Sequence, residues 1–434
     1  MTAESRKTTF VLERRLLVIG VLAAWSVLRP PSVDGASPDA PEVSFHGSFR
    51  SYATAWHQAA VLPGEVDKTD ARASTPLRLR LRARSSRRLA LEIAYEITPS
   101  VEPATALQSP LPVPDPFAYR LWRNDPYVLS VENTRGNFQI VQNWDRAVMT
   151  YSPDWGDVML GRQAVAFGSA RVINPLDVLN PFTYAAIDTE TRTGVDAWRV
   201  RLPIGFMGEI DAGFVAGREG RWEQSAAFVK PRGYVWKTNV TGLVMALRGH
   251  VLVGLDLVRA VGGASVWLES GYLLAGVVGL ERESGQDYLR LSAGADYQLA
   301  ESLYGFAEYH YSGAGAGRPE EYLARLDRAA FQDGAVFLMG RHYLAPGLEY
   351  QLTALVTVSG QALWNLEDGS AVLAPGVSVS ISDNAVLESG AFVGLGREPV
   401  PAPLFGPPRP VPLEARSEFG LYPDIYYAAA KLYF

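Results

Sequence analysis

The sequence predicts an all-β protein: a transmembrane antiparallel up-and-down β-barrel of about 18 strands, with 16 as the other possible count. Three observations predict this fold. The stretch Pro76–Ile97 alternates apolar and charged residues. The N-terminus has the features of an export signal, and along the rest of the chain short turns alternate with long loops. Barrel strands need this alternation because one face contacts lipid and the other a watery lumen.

Composition narrows the class of protein further. The chain has 434 residues, 11% aromatic residues, 40 Gly and no Cys, with a net charge of −6. The negative charge argues against nucleic-acid binding. Mean hydropathy is +0.01, which argues against a helical membrane protein but not against strands that are only half apolar. Two or three soluble domains would also fit this length.

The N-terminus reads as a secretory signal peptide. Basic residues precede the apolar run Leu16–Leu28, which is too short to span the ~30 Å hydrocarbon core comfortably. We expect cleavage near Gly35 or Ala36, and a signal anchor is the alternative. The predicted organisation is a signal peptide over 1–36, a short periplasmic leader over 37–43 and an outer-membrane barrel over 44–434.

The stretch Pro76–Ile97 is the clearest hairpin. One face is apolar, and the other carries the charged residues Arg78, Arg80, Arg82, Arg84, Glu92 and Glu96. A turn at 86–88 places Arg82 opposite Glu92 and Arg78 opposite Glu96. Such pairs stabilise a sheet by roughly 0.2–1 kcal/mol each. Arg80 and Arg84 would face alanines, which predicts a net positive strip on the lumen wall.

The same period predicts the other strands. They are Ser44–Gln58, Asn137–Tyr151, Gly156–Val165, Gly194–Leu202, Phe206–Ala216, Trp222–Lys230, Tyr234–Ala246, His250–Arg259, Ala264–Ala275, Asp287–Gln298, Leu303–Ser312, Ala335–Tyr350, Leu355–Leu366, Ala371–Ile381, Ala385–Leu395 and Tyr422–Phe434. Residues 59–74, 99–135, 166–193 and 313–333 are predicted loops. Proline excludes regular strand from 99–135, places a turn at 231–233, and opens a helical stretch at 319–330.

The last predicted strand alternates and stops on Phe434. This ending resembles the signal by which outer-membrane barrels are recognised, so we expect barrel-insertion machinery to bind it. Outer-membrane lipid and lipopolysaccharide are the other expected partners, and a periplasmic export partner is possible. Nucleic acid is not expected, and no cofactor is implied.

Several short motifs surround the loop after the fifth predicted strand. They are Gly161-Arg162-Gln163, Asn174-Pro175, Gly194-Val195-Asp196 and, near the tail, Asn365–Ser370. These motifs resemble porin-like Gram-negative outer-membrane proteins, including the alginate-export family. The resemblance implies an 18-strand barrel with an arginine-rich lumen that passes anionic solutes.

The loop itself carries charged and apolar residues, so we expect it to fold into the lumen and narrow it. Its predicted constriction residues are Arg171, Asn174, Asp177, Asp188, Glu190 and Arg192. The next strand supplies Arg199 and Arg201 on one face as a second basic strip. Because rings of Arg select for anions, the sequence predicts a channel for small or polymeric anionic solutes. The alternative is a closed structural or docking barrel that partners a periplasmic export or assembly system.

An enzyme is not expected. His310 and Ser312 lie two residues apart, as in lipid-side sites of barrel phospholipases, but no third orienting residue is evident. Acidic clusters in loops lack the spacing of metal ligands, so no metal site is predicted.

Overall fold

A computed structural model describes residues 41–58, 68–103, 115, 117–122, 126–133, 136–182, 184, 186–277, 286–332, 335–401 and 413–434. The predicted signal peptide, its cleavage site and most of the leader lie outside these residues.

The described residues form 22 strands. In chain order they are Glu42–Gln58 (β1), Lys68–Ser74 (β2), Leu77–Ser86 (β3), Leu89–Glu102 (β4), Tyr127–Asn133 (β5), Gly136–Tyr151 (β6), Asp157–Gln163 (β7), Val195–Ile204 (β8), Gly208–Val215 (β9), Ala226–Val235 (β10), Thr238–Leu247 (β11), His250–Val261 (β12), Ala264–Leu274 (β13), Tyr288–Ala300 (β14), Leu303–Ser312 (β15), His342–Gln351 (β16), Val356–Asn365 (β17), Ala371–Ser382 (β18), Ala385–Leu395 (β19), Val400–Pro401 (β20), Leu413–Glu414 (β21) and Asp424–Tyr433 (β22).

Eighteen of these described strands close into one antiparallel barrel, as predicted. Each barrel strand pairs with its neighbours in chain order, and β22 pairs with both β19 and β1 to close the ring. Of the remaining strands, β2 extends β3 beside β1, β5 lies beside the start of β6, and β20 and β21 form a separate hairpin. Short turns lie at one end of the barrel and long loops at the other.

The alternation of faces follows the predicted register. In the hairpin of β3 and β4, Arg78 lies opposite Glu96 and Arg82 opposite Glu92, and the arginines point inward. Leu81, on the other face, is exposed on the outside. Phe434 lies against Gly47 across the seam, where a Cβ would stand 2.3 Å from its ring. Only glycine fits beneath this terminal ring.

Two predicted loops contain strands. Residues 68–74 form β2 because the strand pair continues past the apolar band, where both faces are polar and no alternation signals it. Within 99–135, β4 runs through Pro99 to Glu102 and β5 pairs with β6. The Pro99 carbonyl still accepts a hydrogen bond from the Thr75 amide at 2.9 Å, so one proline does not end the ladder.

The predicted turn at 231–233 is wrong. Strand β10 runs through Pro231, and the turn is formed by Trp236 and Lys237, whose φ angles are 50° and 63°. This left-handed geometry matches the twist of a two-residue hairpin. The strand predicted from Ala335 begins only at His342, because residues 335–339 turn inward and are buried apart from Phe337, which is partly buried.

Short helices Tyr322–Arg325 (α1) and Ala329–Gln332 (α2) lie in the predicted helical stretch. Among the described residues, no helix is long and apolar enough to cross a membrane. The helices and the loop between β7 and β8 pack against inward-facing residues of β8–β14, and a shared apolar core results. Its fully buried members include Leu176, Tyr322, Phe331 and Met339.

Candidate functional site

The segment 164–194, between β7 and β8, enters the lumen as predicted; we call it the inserted loop. Its first half, 164–180, is held by two carboxylates of the barrel wall. Glu269 of β13 accepts hydrogen bonds from the amides of Ser169, Ala170 and Leu176 at 2.8, 2.9 and 2.8 Å. The Glu269 side chain is fully buried, so these bonds are shielded from water.

Glu308 of β15 holds the next residues in the same way. It accepts hydrogen bonds from the Arg171 amide at 2.7 Å and the Ile173 amide at 2.9 Å. The indole Nε1 of Trp267 donates to the same carboxylate at 2.9 Å. Hydrogen bonds to charged groups contribute about 1.5–3 kcal/mol each, so the two carboxylates fix the path of the loop backbone.

Apolar contacts reinforce this half. Leu176 is 1% exposed and lies over two glycines of the wall, Gly254 and Gly271. A Cβ at Gly254 would stand 2.2 Å from Leu176 Cδ2. The wall therefore has a recess where the loop side chain enters.

The second half, 181–194, reaches the opposite wall. Asp188 forms an ion pair of 2.5 Å with Arg50 of β1, and Glu190 one of 2.5 Å with Lys431 of β22. Tyr433 also donates a hydrogen bond to Glu190. Burial pushes the pKa of Glu190 upward, but the bonds from Lys431 and Tyr433 outweigh it and hold the pKa below its usual value. The inserted loop thus spans the lumen from β12–β15 to the seam of β1 and β22.

The two halves are joined by an ion pair between Asp177 and Arg192. Arg192 also donates to the Asn180 carbonyl at 2.7 Å. Burial raises the pKa of the fully buried Asp177, although Arg192 opposes the shift. Asn174 Oδ1 is buried and has no hydrogen-bond partner in the described structure. Of the predicted constriction residues, Arg171 instead pairs with Asp296 of β14 at 2.7 Å.

The four arginines of β3 point into the lumen, and Arg82 pairs with Glu92 at 3.1 Å, the residue expected opposite it. The partner of Arg78 differs from the predicted one. Arg78 pairs with Asp145 of β6, because a bulge there turns Asp145 inward, and Glu96 pairs with Arg50 at 2.9 Å. Arg80 lies 3.5 Å from Glu92, which also pairs with Arg82. Arg84 is 3.8 Å from Glu42. The predicted unpaired strip is therefore partly neutralised.

The two arginines of the predicted second basic strip, Arg199 and Arg201, differ in their partners. Arg199 is buried and forms a two-pronged pair with Asp211, with Nε to Oδ1 at 2.7 Å and Nη2 to Oδ2 at 2.5 Å. Lys230 shares the same carboxylate at 3.3 Å. Arg201 Nε, by contrast, has no hydrogen-bond partner among the described residues. Only Arg201 of this pair therefore retains an unmatched donor.

The motifs that flank the inserted loop bind each other. Arg162 donates to Asp196 through Nε at 2.7 Å and Nη2 at 2.9 Å. It also donates to the carbonyls of Trp144 and Trp122, each at 2.9 Å. These contacts fix the two ends of the loop where it leaves the wall.

The tail motif Asn365–Ser370 belongs to a buried junction at the long-loop end. Glu418 accepts hydrogen bonds from the Met339 amide at 2.8 Å, Asn365 Nδ2 at 2.7 Å and Tyr343 OH at 2.5 Å. The Glu418 amide donates to Asp368 at 2.8 Å. Burial raises the pKa of Glu418 to about 7, against the effect of these donors. Three loops are thus joined at one carboxyl group.

His310 and Ser312 lie inside the barrel and are 2% and 0% exposed. His310 Nδ1 is 2.8 Å from Ser292 Oγ, which donates to the Ile173 carbonyl at 2.6 Å. The pair therefore lies on the inner face of the barrel, away from its outer surface, and Ser292 holds the inserted loop.

Sequence reasoning missed the anchors Glu269, Glu308 and Asp145. The first two appear as single acids on inward-facing strand positions, a signal too common to identify a partner. A bulge reverses the face of Asp145, so period two gives it the wrong direction.

Comparisons with known proteins match this architecture. The chain is similar to OprD, an outer-membrane protein from Pseudomonas aeruginosa, with a TM-score of 0.53 and 8% identity, covering 91% of this chain and 94% of OprD. It is similar to OccAB4 from Acinetobacter baumannii, with a TM-score of 0.51, 8% identity and coverage of 90% and 98%. It is also similar to OccD3 from Pseudomonas aeruginosa, with a TM-score of 0.52 and 8% identity, covering 94% of this chain and 95% of OccD3.

The chain therefore has the fold of the 18-strand OprD and Occ porins. No protein-family model matches the sequence, and no curated protein matches it significantly. The resemblance to the alginate-export family is not supported by these comparisons.

Proposed function

We propose that the chain is a bacterial outer-membrane channel for small solutes, with a preference for anions and no enzymatic activity. The observation that carries this proposal is the row of arginines on β3 beside the inserted loop. Their side chains become more exposed toward the short-turn end: 5% for Arg78, 33% for Arg80, 53% for Arg82 and 61% for Arg84. An anion entering from that end meets hydrated cations before it reaches the loop.

Charge on the opposite wall supports the same direction of selectivity. Glu269 and Glu308 are occupied by loop amides, so they are screened from the lumen. Arg201 of β8, whose Nε has no hydrogen-bond partner among the described residues, adds to the basic surface of the inner wall. Cationic rings in a low-dielectric pore favour anions.

The test is single-channel recording in a planar bilayer with a salt gradient. Replacing Arg80 and Arg84 together by Glu should lower the anion-to-cation permeability ratio severalfold and move the reversal potential toward the cation value. Arg259→Glu, on the outer face of β12, is the matched control and should leave the ratio unchanged. An unaltered ratio in the double variant contradicts the anion-channel assignment.

One observation favours the second candidate, a closed barrel that docks a periplasmic export or assembly system. The core around Tyr322, Phe331 and Leu176 fills part of the lumen at the long-loop end. A folded, heat-modifiable protein that inserts into bilayers and never conducts would select this function.

Lipid, lipopolysaccharide and the barrel-insertion machinery complete the proposed partners. Leucines on the outer faces of β3 and β4 suit lipid contact. Phe434 directly follows β22, and its ring lies outside the barrel, over Gly47. Deleting Phe434 should reduce the yield of inserted barrel in cells, as measured by heat-modifiability of outer-membrane fractions.

A further inference from the structure

A cavity of about 530 Å³ lies between the inserted loop and the inner wall formed by β15–β19 and β22. This volume falls within the usual range of small-molecule sites, about 300–1,000 Å³. It lies across the loop from the β3 arginines.

The wall of this cavity carries an aromatic shelf. Phe392 and Tyr427 stack with ring centroids 6.0 Å apart and an interplanar angle of 28°. Tyr184 of the inserted loop meets Phe392 edge-on at 6.2 Å. Gly390 lies beneath Tyr427, where a Cβ would stand 2.6 Å from its hydroxyl oxygen. The ring of Tyr427 can lie against the wall because Gly390 has no side chain that would displace it.

The charges around the cavity nearly cancel. Arg171 is paired with Asp296 and Arg192 with Asp177. Arg290 also lines the cavity, but it is buried and donates to the carbonyls of Pro175 and Ala335, while Glu349 of β16 adds a carboxylate. An anion would therefore meet guanidiniums that already have protein partners and an acid, whereas the β3 wall offers exposed arginines. The cavity favours a neutral ligand.

Uncharged hydrogen-bonding groups face the same space. Ser359 and Gln361 follow one another on the inner face of β17, and both line the cavity with Glu349. We propose that this cavity binds a neutral sugar, a monosaccharide or disaccharide. The C–H face of the ring would stack on Phe392 and Tyr427, and hydroxyl groups would bond to Gln361, Ser359 and Glu349.

The test is isothermal titration calorimetry of the refolded full chain in detergent, with glucose, maltose and, as an aromatic anion, benzoate. We expect maltose or glucose to bind and benzoate to bind at least tenfold more weakly. Absence of heat with both sugars, or tighter binding of benzoate, overturns the proposal.

Two variants locate the site. Phe392→Ala removes half of the shelf, and Gln361→Ala removes one hydrogen-bonding group from a partly buried lining position. Each should weaken sugar binding at least fivefold. Phe45→Ala, on the outer face of β1, is the matched aromatic control and should bind as the parent does. Unchanged affinity in Gln361→Ala and Phe392→Ala contradicts the assigned site. Calorimetry requires no current, so its outcome is independent of the channel proposal.

Discussion

The two halves of the inserted loop are held by different forces. The first half, 164–180, gives its backbone amides to buried Glu269 and Glu308 and its apolar side chains to the core. The second half, 181–194, is held at the seam through charged side chains, and Asp188 and Glu190 are 30% and 36% exposed. Ion pairs with one partly exposed member are weakened by salt more than fully buried hydrogen bonds are. We infer that the first half is the fixed part of the constriction and the second half its adjustable part.

The largest expected effect comes from removing an anchor of the first half. Glu269→Ala leaves the amides of Ser169, Ala170 and Leu176 without their acceptor. Unsatisfied buried groups cost about 1–3 kcal/mol each, so for three amides we expect a loss of roughly 3–9 kcal/mol in the free energy of unfolding. Denaturant unfolding in detergent measures it.

Glu349→Ala is the matched control for that change. It removes an inward-facing acid from the neighbouring wall, at an exposed position, and should cost less than about 1 kcal/mol. Equal losses in the two variants would mean that the first half of the loop is not anchored by Glu269.

The next effect concerns Glu418, a buried carboxyl that also holds a loop amide but titrates near neutrality. Its pKa is about 7 in the folded chain against 4.5 ordinarily, so the folded state favours its neutral form. Its contribution to stability is full below about pH 4.5 and is lost as pH rises to about 7. The difference is roughly 3 kcal/mol.

Thermal unfolding of the parent and of Glu418→Gln, measured between pH 4.5 and 8, tests this sign. The parent should lose stability over that interval more steeply than the variant, which cannot ionise at this position. Parallel curves for the two proteins would show that Glu418 does not govern the pH response of the loop junction.

The smallest effect on stability comes from the second half. Changing Asp188 to Asn and Glu190 to Gln removes both seam ion pairs but should cost only about 1 kcal/mol. The two acids are partly exposed, and the buried Arg50 and Lys431 keep Glu96 and Glu388 as partners. Current fluctuations should nevertheless increase at low salt and match those of the parent at 1 M salt. Single-channel noise in 0.1 M and 1 M KCl measures this. A salt response that persists in the double variant would place the adjustable part elsewhere.

Period-two alternation, together with short turns that alternate with long loops, predicted about 18 strands. The mixture of charged and apolar residues between the fifth and sixth strands predicted the inserted loop. The alternation failed at β2, where both strand faces are polar and the pattern disappears. It also failed at β5, which carries the exposed apolar residues Val128, Leu129 and Val131 but lies in a segment where prolines predicted a loop. The prediction of a turn at Pro231 failed because a strand can continue through a proline at a position that needs no N–H donor for the ladder. The contacts of Glu269 and Glu308 join residues about a hundred or more positions apart, so no local pattern records them.

The seam contacts of the inserted loop can form only late in folding. Arg50 lies on the first strand of the barrel and Lys431 on the last, 138 and 241 residues from their partners Asp188 and Glu190. Such distant contacts form late, because the intervening chain must first be arranged. The tip of the loop therefore gains its full set of partners only when β22 has joined β1. A constriction with both seam ion pairs formed therefore indicates that the barrel has closed.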